Sequence, residues 1–137
     1  MPGVELHPIL FNTPLIYEAE GRQRLAEIYC SYIEVAREAK LPLLLCAPTW
    51  RVDRTRIKEA GVPDTINGDA VKFMKELQER YRAGDSPLIA GALLAPRNDC
   101  YSAAAALDRR ESAAIHGWQI DQLADTDTEV IIAQTMP

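Results

Sequence analysis

Polar residues able to hold a small molecule gather where four apolar runs of the chain end. Pro8-Ile9-Leu10-Phe11 stops at Asn12 and Thr13, with Glu18 a few residues on. Leu43-Leu44-Leu45-Cys46 leads into Thr49, Trp50 and Arg51. Pro87 to Leu94 gives way to Arg97, Asn98, Asp99 and Tyr101. Glu129-Val130-Ile131-Ile132-Ala133 is followed by Gln134 and Thr135. Amides, hydroxyls, carboxylates and guanidinium groups beside an indole are what a site for a small polar ligand is made of. Taken singly, each residue also has a plainer use. Arg97 and Asp99 would pair across a loop for about 0–1 kcal/mol, Thr49 would cap a helix, and Glu18 suits a first helical turn, where the helix dipole favours a carboxylate.

Other chemistries find less support. Cys30, Cys46 and Cys100 are odd in number and widely spaced, which fits neither a disulfide framework nor a Cys-x-x-Cys zinc site. With only His7 and His116 besides, a metal site made wholly within this chain would be short of ligands, and none is expected. His116 falls inside a helical pattern with no legible Ser-His-Asp arrangement. Neither a Gly-x-Gly-x-x-Gly run nor a phosphate loop occurs. The 20 acidic and 15 basic residues give a net charge of −5, which argues against general nucleic-acid binding, since that needs a basic surface to displace counterions.

The elements that must position these residues follow from the apolar periodicity. The short apolar runs read as strands buried on both faces, as in a parallel sheet. Between them lie amphipathic stretches. From Glu20 to Lys40, Leu25, Ile28, Tyr29, Tyr32, Ala36 and Ala39 share a helical face, and Pro42 ends the helix. Val52 to Asp64 reads as a polar connector. A helix beginning near Asn67 or Gly68 carries Ala70, Phe73, Met74, Leu77 and Tyr81 inward and closes on Gly84 as a left-handed cap. Ser102 to Asp125 is alanine-rich and mostly helical, with Leu107, Ala114, Ile115 and Trp118 facing inward. The expected order is β-α-β-α-β-α-β: an α/β chain of parallel strands alternating with helices.

The 137 residues suit one domain, and they are also about half of a (β/α)8 barrel of roughly 250. A composition of 47% hydrophobic and 26% charged residues is that of a globular chain rather than a disordered one. No apolar run approaches the roughly 18 residues of a membrane span, and Met1-Pro2-Gly3-Val4-Glu5 carries no secretory signal. A cytoplasmic protein with no membrane and no nucleic-acid partner is expected.

Several segments, in order, resemble those of homocysteine S-methyltransferases. They are Cys46-Ala47-Pro48-Thr49-Trp50-Arg51, Asn67-Gly68-Asp69-Ala70-Val71, Ala90 to Tyr101, His116-Gly117-Trp118-Gln119-Ile120 and Ala133-Gln134-Thr135-Met136. The resemblance covers most of the chain from Pro8 onward. It implies that residues 1–137 form the amino-terminal half, four strands and three helices, of a (β/α)8 TIM barrel. It implies a methyltransferase that binds homocysteine or a related thiol as a zinc-bound thiolate, which attacks an activated methyl donor. The reason for the metal is general: a free thiol has a pKa near 8.5, and coordination removes its proton.

The resemblance places the family's three zinc cysteines beyond this chain, so zinc is expected for the complete enzyme and none for these residues alone. Substrate contacts would come from Asn12, Glu18, Thr49, Trp50, Asp99, Gln134 and Thr135. The chain departs from the family pattern at the first exit, where Asn12 stands for an aspartate and the following glycines are missing. Ala47-Pro48-Thr49-Trp50 replaces Thr-Asn-Thr-Phe, and Gln134 lies near a position that can carry a glutamate. The expected partners are a small thiol, a methyl donor, and either a second copy of the chain or a missing carboxyl-terminal half. Two other readings stand beside this one: a non-catalytic half-barrel module that self-associates or pairs with another chain, and an open-sheet domain binding an anionic metabolite through Arg51 and Arg97.

Overall fold

The computed structural model describes residues 4–84, 86–97, 101, 102, 104, 106–134 and 136. A 3-10 turn over Thr13–Tyr17 leads into helix α1, Ala19–Ala39. Strand β1, Leu43–Ala47, is followed by two helices, α2 at Arg54–Ala60 and α3 at Ile66–Arg80. Strand β2, Leu88–Leu93, then helix α4, Arg109–Ala124, and strand β3, Val130–Ile132, complete the order. The strands lie side by side as β1-β2-β3, all parallel, with Leu45 opposite Ala90, Ala47 opposite Ala92 and Leu93 opposite Ile132. The expected alternation of parallel strands and helices is therefore present.

The strands read as apolar on both faces, yet among the described residues only one face is covered by helices. Leu45, Ala47, Ala90 and Ala92 are buried, and α3 is the helix that packs on both β1 and β2. It contributes Ala70, Val71, Phe73, Met74 and Leu77 to the same core, close to the expected face. Each large side chain fully buried there contributes roughly 1.5–3 kcal/mol. On the opposite face Leu44, Ile89 and Val130 remain 37–39% exposed. Gly91 keeps that face tight, because a Cβ there would lie 3.0 Å from Leu44 Cδ1 and 3.1 Å from the Val130 carbonyl oxygen.

The first expected strand is corrected. Pro8 to Phe11 forms a turn outside the sheet, closed by an antiparallel bridge between His7 and Phe11. His7 Nδ1 accepts from the amides of Ile9 and Leu10, both at 3.2 Å, and Phe11 takes a left-handed φ of 53°. Local hydrogen bonds thus satisfy the donors a strand would have offered to a neighbour, and Pro8 has no N–H to offer. The described residues hold three sheet strands.

Other boundaries shift for legible reasons. In α1 the buried stripe is Gly21, Leu25, Ile33 and Ala36, whereas Ile28, Tyr32 and Ala39 are exposed. Gly21 sets the approach of this helix to the 3-10 turn: a Cβ would meet Leu15 at 2.9 Å. Lys40, left-handed at φ 55°, ends the helix in a Schellman arrangement, with Leu41 N donating to Ala36 O at 2.9 Å and Lys40 N to Arg37 O at 3.0 Å. The polar connector contains α2, because the buried Asp53 accepts from the amides of Thr55 and Arg56 and starts a helix. Gly84 is not the cap of α3, which ends earlier at Tyr81, φ −108°. Helix α4 begins only at Arg109, where Asp108 and Glu111 form a capping box. Ala114 is exposed and Ile115 only half-buried; Trp118 does pack against the core, and the fully buried side chains of the helix are Gln119 and Leu123.

Glu129, just before β3, ties that strand to β2. Its carboxylate accepts from Ala90 N at 2.6 Å and from Gln78 Nε2 at 3.0 Å, with Lys75 Nζ at 3.7 Å. The Ala90 amide is the main cause that holds this carboxyl below its ordinary value near 4.5. A carboxylate depressed on folding adds stability that is complete above the unfolded value and lost as pH falls through the folded one. Urea unfolding of wild type and Glu129→Gln is expected to show a stability gap at pH 7 that closes below about pH 4; a gap independent of pH would contradict it.

Candidate functional site

A cavity of about 360 Å³ runs along β1 and reaches past its carboxyl end. Its walls come from the turn at Leu10 to Thr13, from Tyr29 and Tyr32 of α1, from β1 and the following Pro48, Trp50 and Arg51, and from Leu93 at the end of β2. Phe11 and Trp50 stack with ring centroids 6.4 Å apart and planes inclined by 21°. The Arg51 guanidinium carbon lies 4.6 Å from the Phe11 ring centre and 5.9 Å from that of Trp50, and Arg51 Nε donates to Ile9 O at 2.7 Å. These contacts fasten the turn to the β1 exit. The Pro8–Phe11 segment therefore reaches the site although it is not a strand.

Behind this wall sits a buried polar network. Gln119, 1% exposed, reaches in from α4. Its Oε1 accepts from Ala95 N at 2.8 Å, and its Nε2 lies within hydrogen-bond distance of Thr49 O at 3.1 Å, Asn67 Oδ1 at 3.1 Å and Leu93 O at 3.3 Å. The Thr49 hydroxyl donates to Leu93 O at 2.7 Å and accepts from Leu93 N at 2.8 Å. Asn67 Nδ2 in turn donates to Gln122 Oε1 at 2.9 Å and to Val52 O at 3.3 Å. The exits of β1 and β2 are thereby locked to α3 and α4.

A second cluster clamps the β2 exit. Arg56 Nη1 pairs with Asp53 at 2.6 Å and also donates to Pro96 O at 2.7 Å, while Nη2 donates to Arg97 O at 3.0 Å. Arg97 itself comes within 3.9 Å of Asp53.

Of the residues expected to form the site, Asn12 and Trp50 come together on the cavity wall. Thr49 is adjacent but fully buried, and its hydroxyl is spent on β2; it positions Trp50 rather than meeting a ligand. Glu18 lines a different cavity of about 390 Å³, with Glu5, His7 and Glu20 among its walls. Gln134 is exposed after β3 and does not line the 360 Å³ cavity. Asp99 and Thr135 lie outside the described residues, as does Cys100. Wall residues that sequence reasoning does not assign to the site include Phe11, Tyr29, Tyr32 and Cys46. Phe11 stood in a presumed strand, and Tyr29 was read only as a core position.

Burial pushes the Cys46 thiol up from its ordinary value, so it stays protonated at neutral pH. Burial likewise pushes the Tyr29 phenol up, and its OH donates to Cys46 O at 2.7 Å. Neither is a ready nucleophile or base. Among the described residues no three His, Cys, Asp or Glu side chains gather where they could hold a metal ion. The described lining of the 360 Å³ cavity is largely apolar, with Asn12, Tyr29, Cys46 and Arg51 among its polar members. Among the described residues, no helix is long and apolar enough to cross a membrane. Comparison with family models, curated proteins and solved structures finds no match to the chain.

Proposed function

We propose that this chain forms the acceptor-binding part of a thiol methyltransferase of the homocysteine S-methyltransferase type. The observation that carries the reading is the meeting of Asn12, Trp50 and the β1 exit on one cavity that runs along β1 to its carboxyl end, the end at which α/β enzymes place their ligands. The strand order supports the barrel form of the proposal. In a (β/α)8 barrel neighbouring strands follow chain order, whereas an open doubly wound sheet reverses at a switch point, and β1-β2-β3 shows no reversal.

In this proposal the chain's own residues bind and orient the acceptor. The Phe11–Trp50 stack and the leucines of β1 exclude water from its sulfur-bearing end, and Asn12 supplies a neutral polar contact. The metal would activate the thiol, and its ligands would come from outside this chain. An apolar wall also favours sulfur over oxygen, because a hydroxyl buried without a partner costs about 1–3 kcal/mol. Calorimetric titration of the chain with thiols, L-homocysteine first, each matched by its oxygen isostere, tests this. Saturable binding of a thiol at least about tenfold tighter than the isostere (a difference of about 1.4 kcal/mol), and lost in Trp50→Ala, is the expected result. Equal binding of the isosteres, or no saturable binding heat with any thiol, would overturn the reading.

The exposed Leu44, Ile89 and Val130 favour a second reading, a half-barrel module that covers this face with another copy or another chain. Sedimentation velocity is expected on that reading to show concentration-dependent dimers. A monomer at every concentration would remove the self-associating form.

A further inference from the structure

We infer that His7 is a positioning residue for the 360 Å³ cavity: its neutral imidazole holds the wall at Leu10 to Thr13 in place, and protonation of the ring releases that wall. This control is independent of which ligand the cavity takes. His7 Nδ1 accepts from the amides of Ile9 and Leu10, both at 3.2 Å. A ring nitrogen that accepts carries no hydrogen, so the imidazole is neutral with its proton on Nε2. The backbone of the same residue closes the turn, with His7 N donating to Phe11 O at 3.0 Å and Phe11 N to His7 O at 2.8 Å. These bonds hold a strained segment. Phe11 sits at φ 53°, a left-handed conformation unfavourable for a bulky side chain. Leu10 is 0% exposed, so its amide meets no water once the imidazole stops accepting.

A proton on Nδ1 turns the acceptor into a donor that faces two others. The ring must then swing away, and the Ile9 and Leu10 amides lose their partner. Phe11 lines both the 360 Å³ cavity and the neighbouring one of about 390 Å³, on whose wall His7 lies. Its ring stacks on Trp50, so a turn that opens takes Phe11 and Asn12 off the β1 cavity together. Among the described residues, the charges around the imidazole act in both directions. Glu5, Glu18 and Glu20 share the 390 Å³ cavity with His7 and favour the imidazolium. Arg51 reaches the turn at Ile9 O from the β1 exit and opposes it. The carboxylates thus draw a proton to the ring, and the two accepted hydrogen bonds make its arrival incompatible with the closed turn.

Solution NMR of the full, ligand-free chain from about pH 8 to about pH 5, the span in which imidazoles titrate, tests this. A nuclear Overhauser contact between the Phe11 and Trp50 rings is expected at the upper pH and should fade toward the lower, in step with the titration of the His7 ring. Hydrogen-exchange protection of the Leu10 amide should drop at least about fivefold over the same range, while that of Leu45 in β1 holds. His7→Asn keeps a side-chain acceptor for the amides that follow and does not titrate, so its ring contact should persist throughout. His7→Ala lacks the acceptor and should show the weakened contact at both ends of the range. A wild-type contact and Leu10 protection unchanged across the range would overturn the inference. An equal loss in His7→Asn would overturn it as well, because the carboxylates would then be the sensor, and so would a full contact in His7→Ala.

Discussion

The carboxamide of Gln119 is the constraint on which the rest of this structure depends. Parallel strands end in backbone groups that the ladder no longer pairs, and at a buried end no water replaces the missing partners. Here the Ala95 amide and the carbonyls of Thr49 and Leu93 meet that difficulty together. One side chain from α4 reaches all three and also Asn67 of α3. The amide suits the task because it carries both donor and acceptor without a charge to bury. The Thr49 hydroxyl completes the arrangement by bonding both the amide and the carbonyl of Leu93.

From that constraint the candidate site follows. Fixing Thr49 fixes the direction in which Trp50 and Arg51 leave β1, and those two side chains hold the turn that carries Phe11 and Asn12. The cavity is therefore built on a rigid floor and a wall that is cross-linked by stacking and one charged hydrogen bond. Among its described walls, burial keeps the Cys46 thiol and the Tyr29 phenol protonated, and the neighbouring Thr49 hydroxyl is committed to Leu93. The Asp53–Arg56 pair plays a parallel part at the β2 exit. There a helix cap and a buried ion pair together hold the backbone of Pro96 and Arg97.

The parallel α/β arrangement was legible because Leu43 to Cys46, Leu88 to Leu93 and Val130 to Ile132 are apolar without interruption, and because Ala70, Met74 and Leu77 repeat at helical spacing. Pro8 to Phe11 misled for the same reason: an apolar run of four residues is equally compatible with a tight turn, and the hydrogen bonds to His7 Nδ1 decide between them. In α4 the alanines blur the helical face, so periodicity pointed to Ala114 and Ile115 while the buried position went to a polar residue. A buried glutamine leaves no mark in a hydrophobicity pattern. Thr49 shows the corresponding difficulty for sites: sequence places a hydroxyl at a strand exit, but whether it faces a ligand or the neighbouring strand is settled by packing.

Equilibrium urea unfolding of Gln119→Leu measures the central claim most directly, because leucine keeps most of the side-chain volume and removes only the polar partners. Leaving the Ala95 amide and the Asn67 carboxamide oxygen buried and unmet should cost at least about 2 kcal/mol, at roughly 1–3 kcal/mol for each such group. A variant as stable as wild type, with an unchanged denaturant slope, would mean that the strand exits are held by something other than this amide.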